Sequence, residues 1–492
     1  MKSFLLHELL IGVLDTTALA QLPNVAVTDL TLDSRHCAPG CVFIALSGLR
    51  THGIAFAEQA IANGASVVLW QPDGTVQPAA NLNTLWLAVP RLNEHLALLA
   101  NRFYGAPSKQ LRIAAVTGTN GKSTTAYLIA QAAEQCGLPA GYIGTVGFGR
   151  IGNLHTATHT TPDVLSVHRQ LRQLHDAGAR VVAMEVSSHA LHQGRIAGVC
   201  VDTAVFTNLT QDHLDYHGDM QAYGAAKAML FRWPTLQHQV INVDDAFGRE
   251  LVAQGTALNT TTYSCATPDD ASGDLQATVT LSAEGLVLDI RSATGNATLS
   301  SKLLGRFNAE NLLAALAVLL GWQVPLAQAV SALAQCAPPP GRMELVSVAD
   351  KRAVVDYAHT PDALQKALQV LKAHCSGKLI CVFGCGGDRD PTKRVLMGRI
   401  ADELADQVIV TDDNPRTENP DAIIAAIRSG MRRDCLVQRD RTQAIAQALA
   451  LANADDIVLV AGKGHEDYQI IGQEVRHFSD REVVEQILRS AA

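Results

Sequence analysis

Ala114-Ala115-Val116-Thr117-Gly118-Thr119-Asn120-Gly121-Lys122-Ser123-Thr124 is the stretch on which the fold turns. Ile113–Val116 is a short apolar run and reads as a strand, while Thr125–Cys136 reads as a helix stopped by Gly137. A glycine-rich turn between a strand and a helix is the setting of a phosphate loop. Its backbone N–H groups can turn towards phosphate oxygens, and the helix N-terminus adds a favourable dipole. Lys122 would reach the terminal phosphates and Ser123 would offer a hydroxyl to a divalent cation. The strict GxxxxGK[ST] spacing is broken, because its first glycine would fall at Val116 and the chain has Gly118 instead. The bland alternative is a glycine turn with an exposed lysine.

Outward from this loop the pattern alternates. Val181–Val186, Thr203–Thr207 and Gln239–Val243 read as strands, with helices at Thr160–Ala177 and Gln221–Phe231. Such alternation predicts a mostly parallel sheet covered by helices. From about Thr261 to Leu303 apolar and polar residues alternate, which predicts antiparallel strands. Upstream, Cys41–Leu46 and Ser66–Trp70 read as strands and Phe56–Asn63 and Asn93–Tyr104 as helices, closing at Gly105-Ala-Pro107. Downstream, Pro338-Pro339-Pro340-Gly341 marks a hinge. After it come four strand-then-loop units, Ala353–Tyr357, Lys378–Phe383, Gln407–Thr411 and Asp456–Ala461, a second doubly wound pattern. The chain therefore divides into three α/β parts, 1–107, 108–336 and 337–492.

Composition sets limits on function. At 492 residues, 48% hydrophobic and 17% charged, the chain is long enough for several cores. A net charge of −8 argues against a nucleic-acid-binding face. The ten cysteines include no CxxC pair, so spacing predicts no zinc site and suits a reducing cytoplasm. Lys2, an apolar stretch and Ala18-Leu19-Ala20 imitate a secretory signal, but His7, Glu8 and Asp15 interrupt it, and an amphipathic first helix is expected. No apolar run reaches eighteen residues, so no membrane span is expected.

Further polar clusters fall where strands end. Glu185 closes one strand, and Asn208-Leu-Thr-Gln-Asp212-His213-Leu-Asp215-Tyr-His217-Gly218 follows the next. In an open α/β sheet ligands gather beyond the carboxyl ends of strands, so Glu185 and His213 are both candidates to face the loop. Gly305-Arg-Phe-Asn308 opens a helix, where Asn308 could serve as its N-cap. In the last part, Gly386-Gly387-Asp388-Arg389, Asp412-Asp413-Asn414-Pro415-Arg416 and Gly462-Lys463-Gly464-His465-Glu466 each follow a strand. Two arginines and a glutamate would then converge on one crevice.

Thr117-Gly118-Thr119-Asn120-Gly121-Lys122-Ser123 resembles the ATP loop of the Mur ligases and of the related folylpolyglutamate synthetases, in which the shifted glycine is normal. The resemblance extends over nearly the whole chain. It implies a UDP-sugar domain, a central ATPase-like domain with a parallel sheet, and a C-terminal Rossmann-like domain. It implies ATP bound by Gly118, Thr119, Asn120, Gly121, Lys122, Ser123 and Thr124, with Asn308, Arg342 and Asp356 completing the nucleotide site. Catalysis would fall to Lys122, Lys227 and His213, and Mg²⁺ to Ser123, Glu185, His213 and Lys227, the last as N6-carboxylysine. The UDP-linked dipeptide, UDP-N-acetylmuramoyl-L-Ala-D-Glu, would lie against Leu32, Ser34, Leu49, Arg50 and Thr51. It would continue to Thr160, Thr161, Ser187, Gln193 and Arg195.

In that family Asp-Asn-Pro-Arg marks enzymes that add meso-diaminopimelate. The resemblance therefore assigns the amino acid to Arg389, Asp413, Asn414, Pro415, Arg416, Gly462 and Glu466. Arg389 and Arg416 suit a carboxylate and Glu466 an ammonium group. The implied protein is a cytoplasmic monomer with small-molecule substrates and neither nucleic acid nor membrane as partner. Three alternatives stay open at this point: the same ligase using L-lysine, a folylpolyglutamate synthetase, and a phosphate-loop switch or motor.

Overall fold

Short apolar runs build the frame. The computed structural model describes residues 4–48, 51–74, 84–157, 159–255, 259–266 and 273–491. Among these residues three α/β sheets follow one another along the chain. The first has four parallel strands, Asp29–Thr31, Cys41–Ala45, Ala65–Trp70 and Leu85–Ala88. Helices Ala57–Ala62 and Leu92–Tyr104 flank it.

The central sheet has eleven strands. Its middle is parallel, in the spatial order Ala140–Gly144, Val181–Glu185, Arg112–Thr117, Thr203–Phe206, His238–Asn242 and Asn259–Ser264. Arg112–Thr117 lies between Val181–Glu185 and Thr203–Phe206, so the chain order reverses beside it. The carboxyl ends of these three strands open into one crevice, as expected at a topological switch point. Helix Lys122–Gln135 covers one face together with Phe307–Gly321, which is buried almost all round. The other face packs against Val164–Asp176.

The last sheet has six strands, ordered Glu344–Val348, Lys351–Asp356, Ile457–Ala461, Leu379–Phe383, Gln407–Val410 and Leu436–Val437. All pairs but the first are parallel.

Four expectations change. In place of one amphipathic first helix there are two short ones, Leu6–Leu9 and Thr16–Ala20. Gly12, at φ +76°, and Asp15, which caps the second through Ala18 N at 2.8 Å, break the run. The helix expected from Thr160 starts at Val164, because Asp163 accepts from Leu165 N and Ser166 N and sets the boundary there. Asn259–Ser264, expected to be antiparallel, pairs parallel with both neighbours. Only Leu275–Ser282, Gly285–Ser292 and Gly295–Ser301 form the antiparallel meander, which extends the central sheet. Asn308 is not the helix cap: Arg306 holds that position, and Asn308 turns its Nδ2 to Leu304 O at 2.7 Å.

Candidate active site

The phosphate loop is a backbone nest drawn tight by its neighbours. Gly118 has φ +150°, and a Cβ there would meet Thr207 Oγ1 at 1.9 Å. Gly121 has φ +84°, and its Cβ would meet Asn311 Oδ1 at 2.4 Å. Both positions therefore demand glycine. Thr207 Oγ1 donates to Asn120 O at 2.6 Å, and Asn208 accepts from Thr119 N and Asn120 N at 2.8 and 2.9 Å. The loop's shape is thus imposed by the end of Thr203–Phe206.

Two lysines share one carbonyl of this loop. Lys122 Nζ donates to Gly118 O at 3.0 Å and to Thr119 O at 2.8 Å. Lys227 Nζ, only 1% exposed on helix Met220–Ala228, donates to the same Gly118 O at 2.7 Å. Burial, and then the Lys122 charge, push the Lys227 amine down to about 6. Burial also lowers Lys122. Two amines so crowded fit a polyanion, which would offset the charge that each now imposes on the other.

Across the crevice Glu185 is fully buried. Its carboxylate accepts from Ser123 Oγ at 2.7 Å, Tyr142 OH at 2.6 Å and Thr145 N at 2.7 Å. A carboxylate and a hydroxyl are thereby joined at the helix N-terminus. His213 reaches the loop by another route. Held at φ +52°, its ring meets Tyr223 edge-on at 6.1 Å between centroids, and Tyr223 OH lies 3.2 Å from Thr119 Oγ1. Its Nε2 is 3.5 Å from Asp212 Oδ2. Among the described residues no three His, Cys, Asp or Glu side chains gather as a metal cluster.

A cavity of about 760 Å³ lies between the first sheet and helix Val164–Asp176 with the loop before it. Leu32, Ser34, Arg35, Gln59 and His159 help to line it. Ser34 is buried and donates to Gln59 Oε1 at 2.7 Å, so its hydroxyl is already partnered. Arg169 closes the floor, donating to Asp29 Oδ1 at 3.1 Å, to Leu30 O at 2.5 Å and to Tyr104 OH at 3.1 Å. Thr51 is exposed and is not among the residues lining the cavity, while Leu49 and Arg50 lie outside the described residues. Thr161 ties the end of strand Val181–Glu185 to Ser187 and Arg195. Its Oγ1 donates to Glu185 O at 2.9 Å and accepts from Ser187 N, and its carbonyl accepts from Arg195 Nη1 at 2.9 Å. Thr160 accepts from Thr145 Oγ1 at 3.0 Å. Gln193 accepts two bonds from Arg195, at 2.9 and 2.6 Å, and Ser187 Oγ caps the short helix Ser188–His192.

The last sheet forms a second crevice at its strand ends. Asp356 accepts from Met343 N at 2.7 Å, and burial raises its carboxyl. Arg342 is exposed with its guanidinium 6.0 Å from the Tyr357 ring centre. Gly462, at φ +121°, presents its missing Cβ 2.7 Å from Asp413 Oδ2. Asn414 is buried and bonded at both ends of its amide: Oδ1 accepts from Lys463 Nζ at 3.1 Å and Ile470 N at 3.0 Å, while Nδ2 donates to Glu466 Oε2 at 3.0 Å. Pro415 O lies 2.0 Å from where a Cβ on Gly387 would sit. Arg416 takes φ +50° and folds its Nη1 onto Gly387 O at 2.8 Å. A Cβ on Gly386 would lie 2.9 Å from Arg416 Nη1 and 3.8 Å from Arg389 Cγ, so that glycine lies between the Arg416 guanidinium and the aliphatic stem of the exposed Arg389.

Three family models cover most of the chain. The Mur ligase middle domain matches 116–319, the Mur ligase glutamate ligase domain 341–464, and the Mur ligase family catalytic domain 26–104. A relative from Xanthomonas campestris is 49% identical over 490 residues, covering 96% of this chain and 97% of its own. The chain belongs to the Mur ligase family. That relative is named UDP-N-acetylmuramoyl-L-alanyl-D-glutamate–2,6-diaminopimelate ligase, as is one from Pseudomonas aeruginosa at 48% over 470 residues, covering 94% and 96%. A solved structure of a ligase of the same name superposes with TM-score 0.76 at 36% identity, over 100% of this chain and 99% of the other.

In this Mur ligase several residues that join the crevices lack a motif of their own. Tyr142 and Thr145 hold Glu185, and Asn311 braces the loop by accepting from Thr125 Oγ1 at 3.0 Å. Lys463 is completely buried and lies inside a motif read only for Gly462 and Glu466. A lysine between two glycines at a strand end was the available signal. Its bonds to Asn414 and Glu466 show it to be part of the crevice wall.

Proposed function

We propose that this chain is an ATP-dependent ligase that adds meso-2,6-diaminopimelate to the D-glutamate of UDP-N-acetylmuramoyl-L-alanyl-D-glutamate in peptidoglycan precursor synthesis. One observation carries the choice of amino acid: the Arg416 guanidinium and the stem of Arg389 both approach Gly386, and Asn414, whose carbonyl also lies there, bonds to Glu466. Diaminopimelate has two carboxylates and two ammonium groups, so a pair of guanidiniums and a carboxylate match it. Lysine lacks the distal carboxylate and would leave a guanidinium unpaired, a basis for strong rejection. The names of the Xanthomonas and Pseudomonas relatives agree with this reading.

The proposed chemistry has two steps. A γ-carboxylate oxygen of D-glutamate bonds to the γ-phosphorus of ATP as the β–γ bridge breaks, releasing ADP and leaving an acyl phosphate. The diaminopimelate amine then bonds to the acyl carbon, phosphate departs, and the nitrogen loses a proton. The protein's part is positioning and charge neutralisation. The loop amides and Lys122 hold the triphosphate. Ser187, Gln193 and Arg195 hold the peptide end, with Leu32, Ser34 and Thr51 at the uridine end. Asn308 completes the nucleotide site from the central part, and Arg342 and Asp356 from the far side of the hinge. In this reading 1–107 is the UDP-sugar part, 108–336 the ATP part and 337–492 the amino-acid part of a cytoplasmic monomer.

The residues present fit Mg²⁺. Ser123 and Glu185 supply hard oxygens at the loop, and magnesium commonly takes its remaining ligands from phosphate and water. Bound there, the ion would neutralise phosphate charge. Lys227 fits carbamylation, because an amine held near 6 is neutral at cytoplasmic pH and can bond to CO₂ with loss of one proton. His213 stands as the remaining ligand candidate.

The test is to mix protein, ATP, Mg²⁺ and the UDP-dipeptide with single amino acids, follow phosphate release and weigh the product. Phosphate release that requires both the dipeptide and diaminopimelate supports the proposal. Release without an acceptor would favour a switch or motor instead.

A further inference from the structure

Strands Leu379–Phe383 and Gln407–Val410 run side by side, and the loops after them carry Arg389 and Arg416. The last sheet-like bond between them is Thr411 N to Phe383 O at 3.0 Å. Beyond it the loops are laced by other groups. Gly387 N donates to Asn414 O at 2.9 Å, and Thr417 Oγ1 donates to Asp388 Oδ1 at 2.8 Å. Asp388 N donates to Glu418 Oε1. The same Glu418 carboxylate receives both ends of the Arg394 fork, each at 2.9 Å. Arg394 also donates to Gly386 O at 3.3 Å, so one guanidinium grips both loops.

Two features set this lacing apart from an ordinary surface ion pair. Asp388 and Arg416 both lie in the left-handed region, at φ +54° and +50°, where a non-glycine residue costs about 1 kcal/mol. Such conformations persist where the surroundings over-determine them. Arg394 is also 4% exposed, and its Nε is buried without a hydrogen-bond partner. An unpaired buried donor is costly, so an apolar pair would stabilise the fold at least as well.

We infer that Glu418 and Arg394 are a positioning pair that aims Arg416 and Arg389, and so sets selection of an acceptor amine bearing a second carboxylate. Neither touches the acceptor. Arg394 holds the carbonyl of Gly386 and Glu418 holds the N–H of Asp388, fixing on both sides the Gly387 whose carbonyl accepts from Arg416. The inference rests on the diaminopimelate reading above.

The experiment compares wild type with Glu418→Ala, Glu418→Gln and Thr417→Val. It reads KM for each of the three substrates, kcat, and the preference for meso-diaminopimelate over L-lysine. Wild type is measured first, and failure to use diaminopimelate overturns both the function and this inference. Given turnover, Glu418→Ala is expected to raise KM for diaminopimelate roughly tenfold or more, because small misplacement of a clamp is amplified. KM for ATP and for the UDP-dipeptide should stay within about twofold, and Glu418→Gln, which keeps an acceptor for Asp388 N, should recover part of the loss. Should Glu418→Ala fail to fold, Thr417→Val cuts the lacing without changing charge and should raise the same KM about threefold. A uniform change in all three KM values, or none, overturns the positioning role while leaving the ligase reading intact.

Discussion

Replacing Lys227 by methionine should stabilise the protein at neutral pH while abolishing ligation. The amine falls from an ordinary 10.5 to about 6 because burial disfavours its charge and Lys122 repels it. Between those two values the unfolded chain holds a proton that the folded chain has released. Wild-type stability therefore rises with pH across this window and is lowest below about 6. Each decade is worth about 1.4 kcal/mol, so near pH 7.5 the buried lysine costs about 4 kcal/mol, and below pH 6 about 6 kcal/mol. Methionine keeps the volume and loses the bond to Gly118 O, worth about 1 kcal/mol. Gly118 O still accepts from Lys122. The net gain near pH 7.5 is then about 3 kcal/mol, fading as pH approaches 10. Urea unfolding in CO₂-free buffers over a pH series reads this directly. Parallel pH slopes for the two proteins between about pH 6.5 and 9 would refute the reasoning.

Arg416→Ala should lower kcat/KM for diaminopimelate roughly a hundredfold and raise that for L-lysine, measured by product formation with each amino acid. Gly118→Ala should abolish nucleotide binding in calorimetry, since its Cβ would meet Thr207 Oγ1 at 1.9 Å and the site also needs positive φ. Arg169→Met should raise KM for the UDP-dipeptide about tenfold with kcat little changed, because it opens the cavity floor at Asp29 and Leu30. Lys463→Met should weaken diaminopimelate binding by freeing Asn414 and Glu466, read as a KM rise without loss of ATP binding.

Much of this was legible because local chemistry and global fold agree. The run before Gly118 is apolar, the glycines permit the turn, and the helix begins at Lys122, so strand, loop and helix could each be read in place. The strand ends carrying Asp413–Arg416 and Gly462–Glu466 were legible for the same reason. What could not be read is non-local. Lys122 and Lys227 meet on one carbonyl although they lie far apart in sequence. Arg169 reaches Asp29 in the first sheet. Tyr142 bonds to Glu185 from a neighbouring strand. Such contacts follow from strand order, which composition and periodicity do not reveal. The parallel pairing of Asn259–Ser264 escaped for the same reason: its alternation matches either direction, and only its neighbours decide.

The most direct measurement is a competition. The protein, ATP, Mg²⁺ and UDP-N-acetylmuramoyl-L-alanyl-D-glutamate are mixed with equal amounts of meso-diaminopimelate and L-lysine, and the UDP-linked product is weighed. The account predicts a single product heavier by one diaminopimelate residue. A product carrying lysine, or ADP and phosphate formed with no product, would contradict it.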